Sequence, residues 1–211
     1  MPRMVYGILE VHRSHRIENP DPRRDGESGR PHACTLCHLD RSLSWSATEM
    51  TRLWGKEQPP PETRRDGAPV DYPDAIASLL AGDAVQRIAY ARAAGRPDSA
   101  LEPRQKATVR AALTATLGDG YPSIRWMAER SLRNLGQELP LGFEPLLDDW
   151  DHTDAAQRDI FLSLFDVLAA EGPAWLDAPP GLLLNPDYSA DIRAILDLLN
   201  LQADHIIDIG E

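Results

Sequence analysis

The stretch PRQKATVRAALTATLGDGYPSIRWMAERSLRNLG, residues 103–136, decides the fold. Val109, Ala112, Leu113, Thr116 and Leu117 fall at helical spacing. After the break at Gly118-Asp119-Gly120, Ile124, Met127, Ala128, Ser131, Leu132 and Leu135 repeat the pattern, and Gly136 closes it. The spacing predicts helices over 104–117 and 122–135. A connection this short makes them antiparallel neighbours, with Val109, Leu113 and Leu117 facing Ile124, Ala128 and Leu132. Further helices are expected near 74–81, 84–94, 154–170 and 188–203, the third carrying Phe161, Leu164, Phe165 and Leu168. No segment alternates strictly in steps of two. The expected class is all-α, with antiparallel helix pairs stacked as a short α-solenoid. Self-similarity is partial: Leu79-Leu80-Ala81-Gly82-Asp83 and Ala115-Thr116-Leu117-Gly118-Asp119 each lead into a helix.

Upstream the pattern changes. Leu43, Ala47, Met50 and Trp54 predict one more helix, opened by Ser42 and stopped by Gly55. Pro59-Pro60-Pro61 and Pro69 mark residues 58–73 as a stiff linker. The expected division is 1–57, 58–73 as linker, and 74–211 as the helical-repeat domain. Residues 12–43 hold only seven apolar side chains in 32: Ile17, Ala33, Cys34, Leu36, Cys37, Leu39 and Leu43. Such a stretch does not bury enough apolar surface to offset its own ordering entropy. It is expected to be irregular and in need of an added apolar centre.

The chemistry lies in Cys34-Thr35-Leu36-Cys37-His38, which spends the only two cysteines of 211 residues. C-x-x-C-H is the attachment signature of a c-type haem. Two thiols one helical turn apart add to the two vinyl groups on a porphyrin, and the next residue offers its imidazole to the iron. Cys34 and Cys37 are therefore the covalent anchors and His38 the proximal ligand. A porphyrin held there would supply the apolar centre that 12–43 lacks. Two other readings stay open. A Cys34–Cys37 redox pair normally follows a strand, and none is expected here. A zinc site from Cys34, Cys37, His38 and His32 would crowd its ligands into seven residues instead of two separated pairs.

An iron held by His38 generally takes a second axial ligand. His12 and His15 lie three apart in a charged stretch with no core to receive them, so they are the distal candidates, His15 first. Met50 competes, although its place on an apolar stripe suits core filling. His32 is expected in an exposed loop, and His152 and His205 on acidic surface. Trp45, Trp54, Trp126 and Trp150 are expected to be packing groups. Asp148-Asp149-Trp150-Asp151 lacks the glycine and final glutamate of a calcium loop and reads as a capping loop. No phosphate loop, G-x-S-x-G or H-E-x-x-H occurs.

Net charge is −11, and the excess is downstream: residues 1–66 hold 11 Lys/Arg and 10 Asp/Glu, the remainder 11 and 23. That balance argues against nucleic acid as a partner. No run of apolar residues is long enough for a membrane span. The opening Met1-Pro2-Arg3-Met4-Val5-Tyr6 has no apolar core of a signal peptide, although c-type haem is attached outside the cytoplasm in bacteria.

The run Met1 to Gly7, then His12-Arg13-Ser14-His15-Arg16-Ile17, Pro20, Arg30-Pro31, Ala33 to Ser42, Trp45 and Trp54-Gly55 resembles bacterial multihaem c-type cytochromes that end in tetratricopeptide or HEAT-like helical repeats. Asp119, Pro122, Ile124-Arg125, Ala128, Ser131-Leu132 and Leu135-Gly136 are similar to the inner helix of a HEAT repeat. The resemblance implies the C-terminal part of a longer cytochrome, beginning just after another C-x-x-C-H. It implies that His12 and His15 serve two irons, one here and one on a neighbouring haem, and that the protein resides in the periplasm or cell envelope. His32 departs from the asparagine expected in that family. The expected function is an electron carrier with haem c, not an enzyme, exchanging electrons with other haem domains or redox proteins. The other class is a helical-repeat interaction module whose C-x-x-C-H carries no haem.

Overall fold

The computed structural model describes residues 3–5, 11–13, 19–55, 57–96, 103–136, 183 and 191–202. Seven helices account for most of them: α1 Pro22–Ser28, α2 Leu43–Trp54, α3 Asp74–Leu80, α4 Ala84–Ala94, α5 Pro103–Thr116, α6 Pro122–Asn134 and α7 Ile192–Leu199. Among the described residues the fold is all-helical apart from one short antiparallel pair near the start. There β1 (Arg3–Val5) pairs with β2 (Val11–Arg13) in the register Arg3–Arg13, Met4–His12, Val5–Val11. Three-residue strands are too short to announce themselves by alternation. The helix expected at 154–170 lies outside the described residues.

The chain divides into two compact units, Met1–Ala93 with Leu198–Glu211, and Ala94–Asp197. The expected linker, 58–73, falls within the first of these units. That stretch is packed into the first unit: Pro61, Arg64 and Ala68 are buried, and the Arg65 amide donates to the Gly26 carbonyl at 3.0 Å. Prolines make the segment extended, as the sequence implied. Its buried arginine makes it part of a core.

α1 was not expected, because it has no apolar stripe. Its ends explain it. Asp21 accepts from the Arg24 amide at 3.0 Å as N-cap, Pro22 opens the first turn, and Gly29 closes the helix at φ 70°. Gly26 lets α1 approach α2: a Cβ there would stand 2.9 Å from Leu43 Cδ1 and 3.1 Å from the Pro61 ring. In α2, Ser42 caps the Trp45 amide at 3.1 Å, and Leu43, Ser46, Ala47 and Met50 turn inward. Met50 is thus core. Trp54, expected on the same stripe, is 64% exposed.

Within the second unit, α5 and α6 pack together, and Val109, Leu113, Leu117, Ile124, Ala128 and Leu132 are all buried. The chain turns back between them within 117–121, and Arg110, midway along α5, donates to the Leu135 carbonyl beyond the end of α6 at 2.6 Å, so the pair is antiparallel as expected. Gly95 permits close approach to α6, where an added Cβ would lie 2.3 Å from Ser131 Oγ. Trp126 is not a packing group; it is 48% exposed, with the Arg130 guanidinium 5.4 Å over its ring. Truncating Leu113 to Ala is expected to cost about 2–5 kcal/mol. Trp126→Ala should stay within about 0.5 kcal/mol. Urea denaturation of the two variants checks the contrast; equal losses would contradict this packing.

Candidate functional site

The C-x-x-C-H residues form one tight turn. Cys34 carbonyl accepts from the His38 amide at 2.9 Å and from the Cys37 amide at 3.1 Å, and the Leu36 amide donates to the His32 carbonyl at 3.2 Å. The turn has two faces. Thr35 and Leu39 point inward and are fully buried. Cys37 and His38 are exposed and Cys34 is half-buried; neither cysteine is in a disulfide. Positions i, i+3 and i+4 therefore share the outer side. Trp45, on the first turn of α2, borders it, with its ring centroid 4.9 Å from that of His38 at 51°. The Arg41 guanidinium sits 5.5 Å from the Trp45 ring centroid.

The inner face is held by a buried polar cluster. Thr35 Oγ1 donates to Asp74 Oδ2 at 2.5 Å and lies 2.8 Å from the Tyr90 hydroxyl. Tyr90 also donates to Asp74 and accepts from the His32 amide at 3.0 Å. Arg64 pairs with Asp74 through Nη1, with Asp66 at 2.5 Å through Nη2 and at 2.9 Å through Nε, and with Ser78 Oγ at 3.0 Å. Burial works against the charge on Arg64, but the hydrogen bond to Asp66 and the charge of Asp74 outweigh it and raise its pKa. Burial, with the adjacent Asp74, also pushes the Tyr90 phenol well up, so it stays a neutral donor.

His32 is not in an exposed loop. It is 0% exposed, and Nδ1 lies 2.8 Å from Asp25 Oδ2 on α1. Asp25 is itself buried, with Arg24 Nε 3.8 Å away. Nε2 is buried and makes no hydrogen bond of ordinary geometry. Burial is the largest influence on this imidazole and lowers its pKa. The hydrogen bond to Asp25, with the Cys34 side chain nearby, overcomes that and raises it from 6.5 to about 9. The expectation failed because a buried imidazole–carboxylate pair leaves no apolar signal. The same holds for Thr35, Arg64, Asp74 and Tyr90, which no motif singled out.

Of the other histidines, His12 lies on β2 opposite Met4, while His15, His152 and His205 lie outside the described residues. Trp150 and the 148–151 loop lie outside them too. The expectation that residues 12–43 lack a core of their own needs correction over 19–43: a buried polar cluster lies beneath the turn there. Among the described residues, no three His, Cys, Asp or Glu side chains group as a metal site.

Comparison with known proteins gives no match: no family model, no curated protein and no solved structure resembles this chain.

Thr35→Val removes one donor from a carboxylate that keeps Arg64 and Tyr90. It is expected to cost about 1–3 kcal/mol in chemical denaturation, whereas Cys37→Ser on the exposed side should be nearly neutral. The His32 pair also predicts a pH dependence. The folded pKa of about 9 lies above the unfolded 6.5, so its stabilisation is complete below pH 6.5 and is lost as pH rises through 9. Over that window the loss should be roughly 3 kcal/mol. Urea midpoints across pH 6–10 should fall in the parent chain and flatten in His32→Asn.

Proposed function

We propose that this chain is an electron-transfer module carrying one haem c. Cys34 and Cys37 would hold the porphyrin by thioethers, and His38 would bind the iron. The observation that carries this is the single turn with Cys34, Cys37 and His38 on its outer side, neither cysteine in a disulfide, beside Trp45. Two thiols at i and i+3 span one porphyrin edge, and an imidazole at i+4 follows directly beneath it. The bound group would supply one-electron storage. The chain's own part is to present the thiols and imidazole on a turn fixed from below by Thr35 and Leu39, so that little reorganisation accompanies attachment.

His15 is the proposed distal ligand and His12 the alternative, or a ligand to a neighbouring haem. Two imidazoles on the iron would give a lower potential than imidazole with methionine. Burial of Met50 in the core supports this choice. The helical pairs are proposed as HEAT-like repeats forming a docking scaffold. Support comes from two equivalent turns. Arg87 on α4 donates to the Gly82 carbonyl at 2.6 Å, and Arg125 on α6 donates to the Asp119 carbonyl at 2.7 Å. Each arginine reaches back to fasten the turn that precedes its own helix. The partners would be other haem domains or redox proteins, and the compartment the periplasm or cell envelope, as haem c chemistry requires. No helix among the described residues is long and apolar enough to cross a membrane.

Maturation in a host competent for haem attachment tests this. The expected product gains about 616 Da, the mass of one haem added to the attachment motif without loss of atoms, and shows a Soret band. Cys34→Ala or Cys37→Ala should weaken attachment. His15→Ala should abolish the low-spin bis-histidine spectrum while leaving the added mass. An unmodified mass in the parent chain would overturn the proposal and favour a helical interaction module.

A further inference from the structure

The ring of His38 is held unlike the inner side of its turn. Thr35 is fastened below by directional bonds, but among the described residues no hydrogen bond or ion pair reaches the His38 imidazole. Its neighbour is the indole of Trp45, with centroids 4.9 Å apart and planes at 51°. That separation lies in the range aromatic pairs favour, and the planes are tilted, not stacked. The indole is itself anchored. The Trp45 amide donates to the Ser42 cap at 3.1 Å, and the adjoining Ser44 hydroxyl donates to Asp71 Oδ1 at 3.1 Å. The Arg41 guanidinium lies 5.5 Å over the ring. The chain between the two rings is also tied down. The His38 carbonyl accepts from the Arg41 amide at 3.0 Å, and the Arg41 carbonyl accepts from the Asp74 amide at 2.9 Å. Trp45 is half-buried and His38 exposed, so the anchored ring steadies the exposed one.

A histidine that binds a metal through one ring nitrogen ordinarily donates from the other to a carboxylate or carbonyl, which fixes the plane of the ring. A single bond to a metal leaves an imidazole able to turn about that bond. We infer that Trp45 is the positioning residue that sets the plane of the His38 imidazole, by ring contact in place of the usual hydrogen bond. That the ring so held binds an iron rests on the function proposed above. A contact of this kind favours one ring orientation over its alternatives by about two- to tenfold. It also differs in kind from a carboxylate partner, which raises the basicity of the imidazole it holds. An indole orients His38 without strengthening it as a donor.

Covering and orienting are separable at this position. The inward side of α2 is made by Leu43, Ser46, Ala47 and Met50, so a change at Trp45 leaves that buried side intact. Leucine at 45 keeps apolar bulk and has no flat face. Phenylalanine keeps the flat face and loses only the indole N–H.

The test is proton NMR on the full chain, haem-free and haem-loaded. In the haem-free chain, nuclear Overhauser contacts are expected between the His38 ring protons and the Trp45 indole. Trp45→Phe should keep a ring-to-ring contact, and Trp45→Leu should shift the His38 ring resonances to those of an unstructured histidine. In the ferric haem-loaded chain, the spread of the haem-methyl resonances follows the planes of the axial rings. The parent and Trp45→Phe should share one spread. Trp45→Leu should narrow it, because a turning ring averages the methyl positions, while the added haem mass is unchanged. Lack of the ring contact in the parent chain would overturn the inference. So would a haem-methyl spread that is the same in Trp45→Leu as in the parent, or one that Trp45→Phe narrows as much as Trp45→Leu does. If Trp45→Leu fails to fold, the parent contact and the Trp45→Phe spread decide. The arms separate the two readings. A chain that gains haem with a spread indifferent to position 45 retains its function and loses the positioning. One that never gains haem, yet shows the ring contact and its loss in Trp45→Leu, keeps an oriented imidazole and loses the iron as its target.

Discussion

The carboxylate of Asp74 is the point on which the first unit depends. It sits at the start of α3 and receives Arg64 from the proline-rich segment, Thr35 from the cysteine turn, Tyr90 from α4 and Ser78 from its own helix. Its amide donates to the Arg41 carbonyl at 2.9 Å, which fixes the chain leaving the turn. A charge taken out of water is stable only when its lone pairs are met, and each partner here arrives from a different stretch of chain. The four segments are therefore held together or not at all. Removing one side of the Arg64–Asp74 pair would leave an uncompensated buried charge, commonly a loss of about 3–5 kcal/mol. A region with few apolar residues gains order this way, by directional bonds in place of apolar area.

This separates what the sequence displays from what it conceals. Helices α2 to α6 were legible because each buries an apolar stripe or ends in a recognisable cap, and the structure places their ends within a residue or so of expectation. Ser42 and Gly55 cap α2 as their residue types suggest. α1 was hidden because its inner face is a carboxylate, a glycine and a proline. The role of 58–73 was hidden for the same reason: Pro59-Pro60-Pro61 reads as a spacer, and nothing marks Arg64 as buried. His32 was misplaced because an imidazole in a polar run looks solvated until Asp25, seven residues earlier, is brought round by the turn of α1. Hydrophobic periodicity detects apolar burial alone, and the errors fall where burial is polar. Trp54 and Trp126 err the other way, since large aromatics usually signal a core and here stand out into solvent.

The cysteine turn was legible in its local geometry and illegible in its support. The i, i+3, i+4 spacing fixes a shared side for Cys34, Cys37 and His38 wherever the backbone is helical. The sequence does not say that the residues between them are structural. Thr35 occupies a position any side chain could fill as far as attachment is concerned, yet it is fully buried against Asp74 and Tyr90. The five-residue motif thus has a chemical face and a folding face, interleaved. On the inner face, directional polar bonds offset the apolar poverty of this region.

His32 ties the turn to α1 as well as to α4. Its amide donates to the Tyr90 hydroxyl, and its ring pairs with the Asp25 carboxylate. Asparagine at this position could keep the amide contact and offer a hydrogen bond to Asp25. It could not carry a positive charge. The difference between the two residues is therefore confined to the packing of the ring and to the charge balance of the buried pair. A substitution that preserves the backbone while removing the imidazole isolates that difference, and a change at Asp25 should reproduce the charge part from the other end. Agreement between the two would assign the pH dependence of stability to the hydrogen-bonded pair. If only the change at position 32 acted, the cause would be packing around a lost ring.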